Sequence, residues 1–351
     1  MDDDDRMLRE SRAIWATLIC FLISASAGAF VLWGGAPRPI VGERSIGLPA
    51  AIVGGLVAAG AFLISSFLHR RGETAAMPRW QVLVSAFSSL ALTIAFAGVT
   101  AFGVLVAGEV LGVGLHGLQL PPLGGGIVIG IAGAIGGRLA FEAGTGLSTG
   151  DLANLLFSYL VLGTLFAMLT AADPAWWHLN FSQLGIGDDA WVFNGTLIVG
   201  GLLIATVGFY IGRDLHRLRG DGWFGRIVAV VLLWAATGVA LAEVGLFPLE
   251  RNLLIHNIAA VSTLVLFIAA GTVTTFMMPG PPKPLVVTSA GTVVLLVVAF
   301  VLTDRFHIFS LTVLEAIVIG MGLLWLTTLV RILAVLAPVD ARPAERGLLH
   351  A

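Results

Sequence analysis

The sequence predicts an all-α integral membrane protein with about ten transmembrane helices, on the evidence of its composition and its long apolar runs. Of its 351 residues, 58% are hydrophobic and only 11% are charged, and the mean hydropathy is +0.97. Soluble domains carry about 25% charged residues. A long apolar run follows the acidic and basic N terminus, which predicts that the first span is retained rather than cleaved as a signal peptide.

Ten separate runs are long and apolar enough to be membrane spans, because a helix needs about 20 such residues to cross ~30 Å of hydrocarbon. The predicted limits are 12–33, 46–68, 80–107, 123–141, 151–171, 190–212, 226–246, 252–278, 285–303 and 309–336. The fourth run is dense in glycine and the seventh is short, so each also fits a re-entrant segment.

The distribution of arginine predicts that both termini are cytoplasmic. Basic residues concentrate in the cytoplasmic loops of membrane proteins. With an inner N terminus, most of the basic residues lie inside, including Arg213, Arg217, Lys283 and Arg342, and few remain outside: Arg38, Arg44, Arg251 and Arg305. We therefore expect a multi-pass protein of the cell membrane, with the loop between spans five and six on the outer face.

The chain divides, in this prediction, into an N-terminal four-helix membrane module (1–150), a six-helix membrane core (151–336) and a cytoplasmic tail (337–351). Weak internal repeats accompany the division: outer serines at Ser45, Ser182 and Ser310 each precede a helix with small residues at its middle. These helices are the second, sixth and tenth, so the repeats would be parallel.

The six-helix part carries three motifs: "FSQLG…AWVFNGTLIVGGLL", "GLFPLERNLLIHNIAAV" and a final "HIFS" before the last helix. On these motifs, residues of about 150–336 resemble a bacterial membrane family known as domain of unknown function 998, which looks related to the eukaryotic Frag/DRAM/Sfk group. The resemblance implies a six-helix core with outer polar motifs and, by distant analogy, lipid handling. It implies no catalytic residues.

Helical register places polar side chains of four spans at one depth, about 8 Å below the outer ends of those helices. Ionisable groups inside a membrane are costly and face the protein interior, so such a layer indicates a functional site. Interhelical hydrogen bonding alone is the alternative. Glu243 and His256 form the predicted pair. The candidate ligand-binding residues of this layer and of the mouth above it are His178, Asn180, Ser182, Asn194, Glu243, Glu250, Arg251, His256, Asn257, Asp304, Arg305, His307 and Glu315.

These residues predict an outward-facing polar pocket that binds or transports a lipid or another amphipathic small molecule. One alternative is a metal-dependent hydrolase at the outer leaflet, with His178, His256 and His307 as zinc ligands. The other is a structural or accessory subunit. Whether the chain is an enzyme stays open, and so do the substrate and the oligomeric state.

The residue inventory assigns no cofactor, no metal ligand and no nucleic-acid partner, and it leaves membrane lipids as the expected partners. Cys20 is the single cysteine, so the chain can build neither an internal disulfide nor a thiolate cluster. Lys283 is the single lysine and falls in a predicted inner loop, which excludes a retinal Schiff base within the bundle.

Overall fold

Ten helices long and apolar enough to cross a membrane make up the part of the chain that the structure describes, which confirms the predicted fold class. The structure is a computed structural model, and it describes residues 3–71 and 79–337. The helices are α1 (Asp3–Leu32), α2 (Gly47–Arg71), α3 (Arg79–Gly114), α4 (Pro122–Gly144), α5 (Thr149–Leu169), α6 (Ala190–Arg219), α7 (Phe224–Leu246), α8 (Leu253–Met277), α9 (Lys283–Asp304) and α10 (Leu311–Leu336).

The two runs that also fitted re-entrant segments, α4 and α7, are continuous helices of 23 residues each. The largest differences from the predicted limits are at the start of α1, which begins nine residues earlier, and at the ends of α3 and α6, which each lie seven residues later. Helix α6 continues for seven residues past the predicted end at 212, through Arg213 to Arg219. Hydropathy marks where the apolar stretch ends, whereas the helix continues through residues whose charged side chains reach water.

The chain separates into two compact units. The first comprises Met1–Leu147 with Val161–Phe166, and the second comprises Ser148–Leu160 with Ala167–Ala351. The predicted cytoplasmic tail, which includes Arg342, lies outside the described residues apart from Ala337.

Helix α4 is the centre of the first unit, because its glycines let three neighbouring helices approach closely. A Cβ added to Gly126 would lie 2.9 Å from the carbonyl oxygen of Ala25 on α1. On other sides of α4, a Cβ on Gly136 would collide with Thr100 of α3, and one on Gly144 would collide with Ser65 of α2. Small residues are enriched at helix contacts in membranes, because they allow the close van der Waals packing that drives helix association.

The first unit also contains a short antiparallel pairing that the sequence did not predict. Strand β1 (Arg38–Pro39) pairs with β2 (Gln119–Leu120), with Arg38 opposite Leu120. This pairing joins the α1–α2 loop to the α3–α4 loop. Two cavities of about 270 and 220 Å³ lie in this unit, the first lined by apolar residues of α1 and α2 and the second by the two loops.

In the second unit, α6 and α7 cross with almost no space between their backbones. A Cβ on Gly201 would lie 2.2 Å from the carbonyl oxygen of Gly238, and a Cβ on Gly238 would lie 2.3 Å from the carbonyl oxygen of Gly201. Further along the same contact, Gly208 faces the Cβ of Trp234 and Gly245 faces the backbone of Asn194. We call this line of glycine contacts the α6–α7 seam.

Aromatic side chains fill the space between α7, α8 and α10. Trp234 is fully buried, donates its indole N–H to Thr274 at 3.0 Å and meets the ring of Phe267 edge-on. Phe267 also packs edge-on against Trp325, whose indole N–H donates to Ser289 of α9 at 2.8 Å. Each buried indole thus has the acceptor that a buried N–H requires.

Candidate functional site

The segment between α5 and α6, residues 170–189, folds into two short 3₁₀ helices, Trp176–His178 and Phe181–Gly185. We call this segment the connector. Asp173 begins it with a turn in which its carboxylate accepts the backbone N–H of Ala175 at 2.8 Å. Gly187 has a φ of +90°, a left-handed conformation that glycine adopts without steric cost.

Side chains from three helices hold the connector by hydrogen bonds, those of α10 and α6 to its backbone and that of α8 to the side-chain hydroxyl of Ser182. Glu315 of α10 accepts the N–H of Phe181 at 2.7 Å, and Thr312 of the same helix donates to the carbonyl of Trp177 at 2.8 Å. Asn194 of α6 donates to the carbonyl of Gly185 at 3.2 Å. The third helix is α8, through His256. These helices thus satisfy three of the polar backbone groups of the connector.

His256 makes the most specific contact of this region. It lies in the first turn of α8 and is only 4% exposed. Its Nδ1 is 3.0 Å from the carbonyl oxygen of Phe247, and its Nε2 is 2.9 Å from the hydroxyl oxygen of Ser182. One imidazole thus links the end of α7, the start of α8 and the connector.

The predicted pairing of His256 with Glu243 is wrong, because both ring nitrogens have other partners. Helix α7 ends near Pro248, which has no backbone N–H and cannot continue the helix. The carbonyl of Phe247 is therefore left without an intrahelical partner, and the imidazole satisfies it. Glu243 lies one turn earlier on α7 and is half-buried.

The structure divides the thirteen predicted site residues by exposure. His256 is buried, and five residues are half-buried, namely Asn180, Ser182, Asn194, Glu243 and Glu315. The remaining seven are exposed: His178, Glu250, Arg251, Asn257, Asp304, Arg305 and His307. Hydrogen bonds bring Ser182 and His256 together, while Glu315 and Asn194 reach the backbone on either side of Ser182.

The exposed residues lie in the turns and helix ends around the connector. Arg251 is in the α7–α8 turn, which precedes the N-cap residue Asn252. In the α9–α10 turn, Arg305 is 3.5 Å from the carboxylate of Asp304, and His307 has a left-handed φ of 50°. In the connector, the His178 ring stacks on Trp177 with 3.8 Å between centroids.

Asn180 leaves one polar atom of the connector unsatisfied. Its side-chain oxygen is buried and has no hydrogen-bond partner among the described residues. Buried polar atoms are nearly always paired with protein, water or ligand, and an unpaired one costs roughly 1–3 kcal/mol. This unsatisfied acceptor lies two residues before Ser182 in the connector.

The predicted histidines do not come together as metal ligands. Within residues 3–71 and 79–337, no three His, Cys, Asp or Glu side chains are grouped closely enough to hold a metal ion. A catalytic zinc site needs three protein ligands around one ion. The described residues thus offer no ligand set for the metal-dependent alternative, since Ser182 and the Phe247 carbonyl occupy the nitrogens of His256.

Sequence reasoning missed two members of this site, the carbonyl of Phe247 and the hydroxyl of Thr312. The first had a signal in the sequence: "LFP" closes a helix with an unpaired carbonyl, and a histidine follows nine residues later. The second had none, because a threonine in the first turn of an apolar helix commonly bonds its own backbone.

The sequence also did not reveal a buried carboxylate at the end of α6 that lies away from the connector. Asp214 is 3% exposed and accepts a hydrogen bond from the hydroxyl of Thr149. Arg213 and Arg217 lie 3.3 and 3.4 Å from its other oxygen. Nearby, the guanidinium groups of Arg219 and Arg226 both lie over the indole of Trp223. Arg213 and Arg217 offset the buried charge of Asp214, and the hydrogen bond from Thr149 ties the start of α5 to the end of α6.

Comparison with known proteins gives one match. A family model described as "Protein of unknown function (DUF998)" matches residues 155–332. No curated protein and no solved structure matches the chain. The matched residues contain the connector, the Ser182–His256 contact and the α6–α7 seam.

Proposed function

We propose that this chain, which belongs to the DUF998 family of proteins of unknown function, binds a lipid or another amphipathic small molecule at the connector end of its second unit. The observation that carries the proposal is the buried, unpaired side-chain oxygen of Asn180 beside the Ser182–His256 contact. A hydroxyl or ammonium donor of a ligand headgroup would satisfy this oxygen. Moving such a ligand across or along the membrane is the transport form of the same function.

The surroundings of this site match an amphipathic ligand with an anionic headgroup. Arg251 and Arg305 are exposed at the turns that flank the connector. Large apolar side chains next to them in the chain are also exposed, among them Leu254 at 70% and Phe306 at 65%. Apolar walls with a few convergent polar groups are typical of small-molecule sites. The acyl chains would lie against the apolar side chains while the headgroup meets the arginines.

The test is native mass spectrometry of the purified protein with phosphatidylglycerol, which is anionic, and phosphatidylcholine, which has no net charge. The double variant Arg251→Gln/Arg305→Gln should weaken phosphatidylglycerol binding by about tenfold or more, because each arginine near a membrane surface contributes roughly 1 kcal/mol toward an anionic lipid. Phosphatidylcholine binding should change little.

The matched control is Arg226→Gln/Lys283→Gln, which removes the same charge from exposed residues at the opposite end of the unit. Equal losses in the two double variants would mean that the total charge, and not the connector end, sets the affinity. Unchanged affinity in Arg251→Gln/Arg305→Gln would refute the proposed headgroup site.

A second variant separates ligand binding from helix packing. Asn180→Ala removes an oxygen that has no hydrogen-bond partner among the described residues, so it should leave thermal stability within about 1 kcal/mol of the parent protein while weakening phosphatidylglycerol binding. If the polar layer serves only as a scaffold, connector variants should change stability and leave lipid binding unaltered. That result would favour a structural or accessory subunit.

A further inference from the structure

The contact between Ser182 and His256 has the geometry of a nucleophile and its general base. The two side chains lie within hydrogen-bond reach, with 2.9 Å between Oγ and Nε2. Such a distance is what proton transfer from a serine hydroxyl to an imidazole requires. The histidine is buried and the serine residue is half-buried, so the base is fixed in place while part of the serine residue stays exposed.

The carbonyl of Phe247 determines which nitrogen of the neutral imidazole carries the proton. A carbonyl oxygen can only accept, so Nδ1 donates its hydrogen to Phe247 at 3.0 Å. Nε2 is then the unprotonated nitrogen, and it accepts the hydroxyl hydrogen of Ser182. A third group that orients the base and sets its tautomer is the feature that distinguishes a nucleophile–base arrangement from an isolated serine–histidine pair.

We propose that Ser182 and His256 form a nucleophile–base pair that hydrolyses a carboxylic ester of an amphipathic substrate. The proposal rests on the proposed function only for the amphipathic character of the substrate. Its chemistry comes from the geometry of Ser182, His256 and the Phe247 carbonyl, and it requires no metal ion and no reactant besides water.

In the first half of the reaction, Ser182 Oγ attacks the ester carbonyl carbon while His256 Nε2 takes the hydroxyl proton. The tetrahedral intermediate collapses, the bond to the leaving oxygen breaks, and Nε2 returns the proton to that oxygen. An alcohol leaves and the acyl group stays on Ser182. In the second half, a water molecule attacks the acyl carbon while Nε2 takes its proton. The bond between the acyl carbon and Ser182 Oγ then breaks, and Nε2 returns the proton to Oγ. A carboxylic acid leaves and the hydroxyl is restored.

The experiment uses the full-length protein and diisopropyl fluorophosphate, a small serine-reactive probe without a lipid chain. We expect the probe to modify Ser182, located by peptide mass spectrometry, about 100-fold or more faster than Ser310, a rate advantage in the range that general-base assistance gives. Ser310 is the matched internal control, because it begins α10 and its hydroxyl accepts the N–H of Val313. Ser182→Ala should abolish the fast modification.

His256→Asn separates the base from its structural role. The asparagine amide can still donate to the Phe247 carbonyl, but it offers no imidazole nitrogen to Ser182. We expect the rate at Ser182 to fall to that at Ser310 while the melting temperature stays close to that of the parent. If this variant does not fold, the alkylation rates of Ser182→Cys and Ser310→Cys by iodoacetamide, with His256 in place, make the same comparison.

Equal probe rates at Ser182 and Ser310 would overturn the proposal and leave the Ser182–His256 hydrogen bond as a packing contact. Because the probe has no lipid chain, its reaction does not depend on lipid binding. Fast modification of Ser182 in a protein that binds no phosphatidylglycerol would support the pair and refute the binding site. Phosphatidylglycerol binding without fast modification would support the binding site and refute the nucleophile–base pair.

Discussion

The carboxylate of Glu315 accepts the backbone N–H of Phe181 at 2.7 Å, across 134 positions of the sequence. This hydrogen bond attaches the connector to α10 immediately before Ser182. The position of the Ser182 hydroxyl therefore depends on a residue of the last helix.

Replacing Glu315 by alanine should loosen the connector. The Phe181 N–H then loses its acceptor, which costs roughly 1–3 kcal/mol, and we expect faster chymotrypsin cleavage after Trp176, Trp177 or Phe181. Glu315→Gln keeps an acceptor oxygen and should restore most of the resistance. Glu250→Ala is the control, because it removes an exposed carboxylate from the α7–α8 turn. Equal cleavage rates in the Glu250 and Glu315 alanine variants would contradict this role for Glu315.

Replacing Gly201 by alanine should destabilise the protein, because the added methyl group would lie 2.2 Å from the carbonyl oxygen of Gly238. Overpacking of this kind costs about 1–3 kcal/mol, and we expect a lower melting temperature in detergent. Gly195→Ala on the same helix is the control, since open space surrounds its added methyl group. Alanine favours helix by up to ~1 kcal/mol over glycine, so the control should be as stable as the parent or more so.

Replacing Asp214 by alanine should cost about 3 kcal/mol of stability, in the range measured when one partner of a buried ion pair is removed. The change leaves the buried hydroxyl of Thr149 without its acceptor and Arg217 without its ion-pair partner. Thermal unfolding measures the loss. Asp221→Ala removes an exposed carboxylate that pairs with His216 at the same end of α6, and it should cost less than about 1 kcal/mol.

The arginine distribution predicts that the connector is extracellular and that the loop between α6 and α7 is cytoplasmic. In a cell, a membrane-impermeant maleimide should label Asp188→Cys without permeabilisation and Gly222→Cys only after it. Both positions are exposed and lie in the connector and in the α6–α7 loop. Cys20 is buried and should contribute little background. The opposite labelling pattern would invert the predicted topology.

Hydropathy was enough to predict the ten spans, because every helix that crosses the hydrocarbon needs about 20 mostly apolar residues. The family resemblance was also confirmed, since its motifs are local in the sequence. Helix depth predicted that His256 lies in a polar layer, but it could not identify the hydrogen-bond partners of the imidazole. Glu243 and His256 lie at the same depth in the predicted spans. The contacts of His256 depend instead on the end of α7, which comes just before Pro248, and on the fold of the connector over α8.

The α6–α7 seam restricts the routes that a translocated molecule could take through the second unit. Where a methyl group on Gly201 has no room beside Gly238, neither water nor an acyl chain can pass between the two backbones. Separating them would forfeit close packing along much of both helices. A permeation pathway would therefore have to open between other helices of the unit, and α6 and α7 would move together as one wall of it.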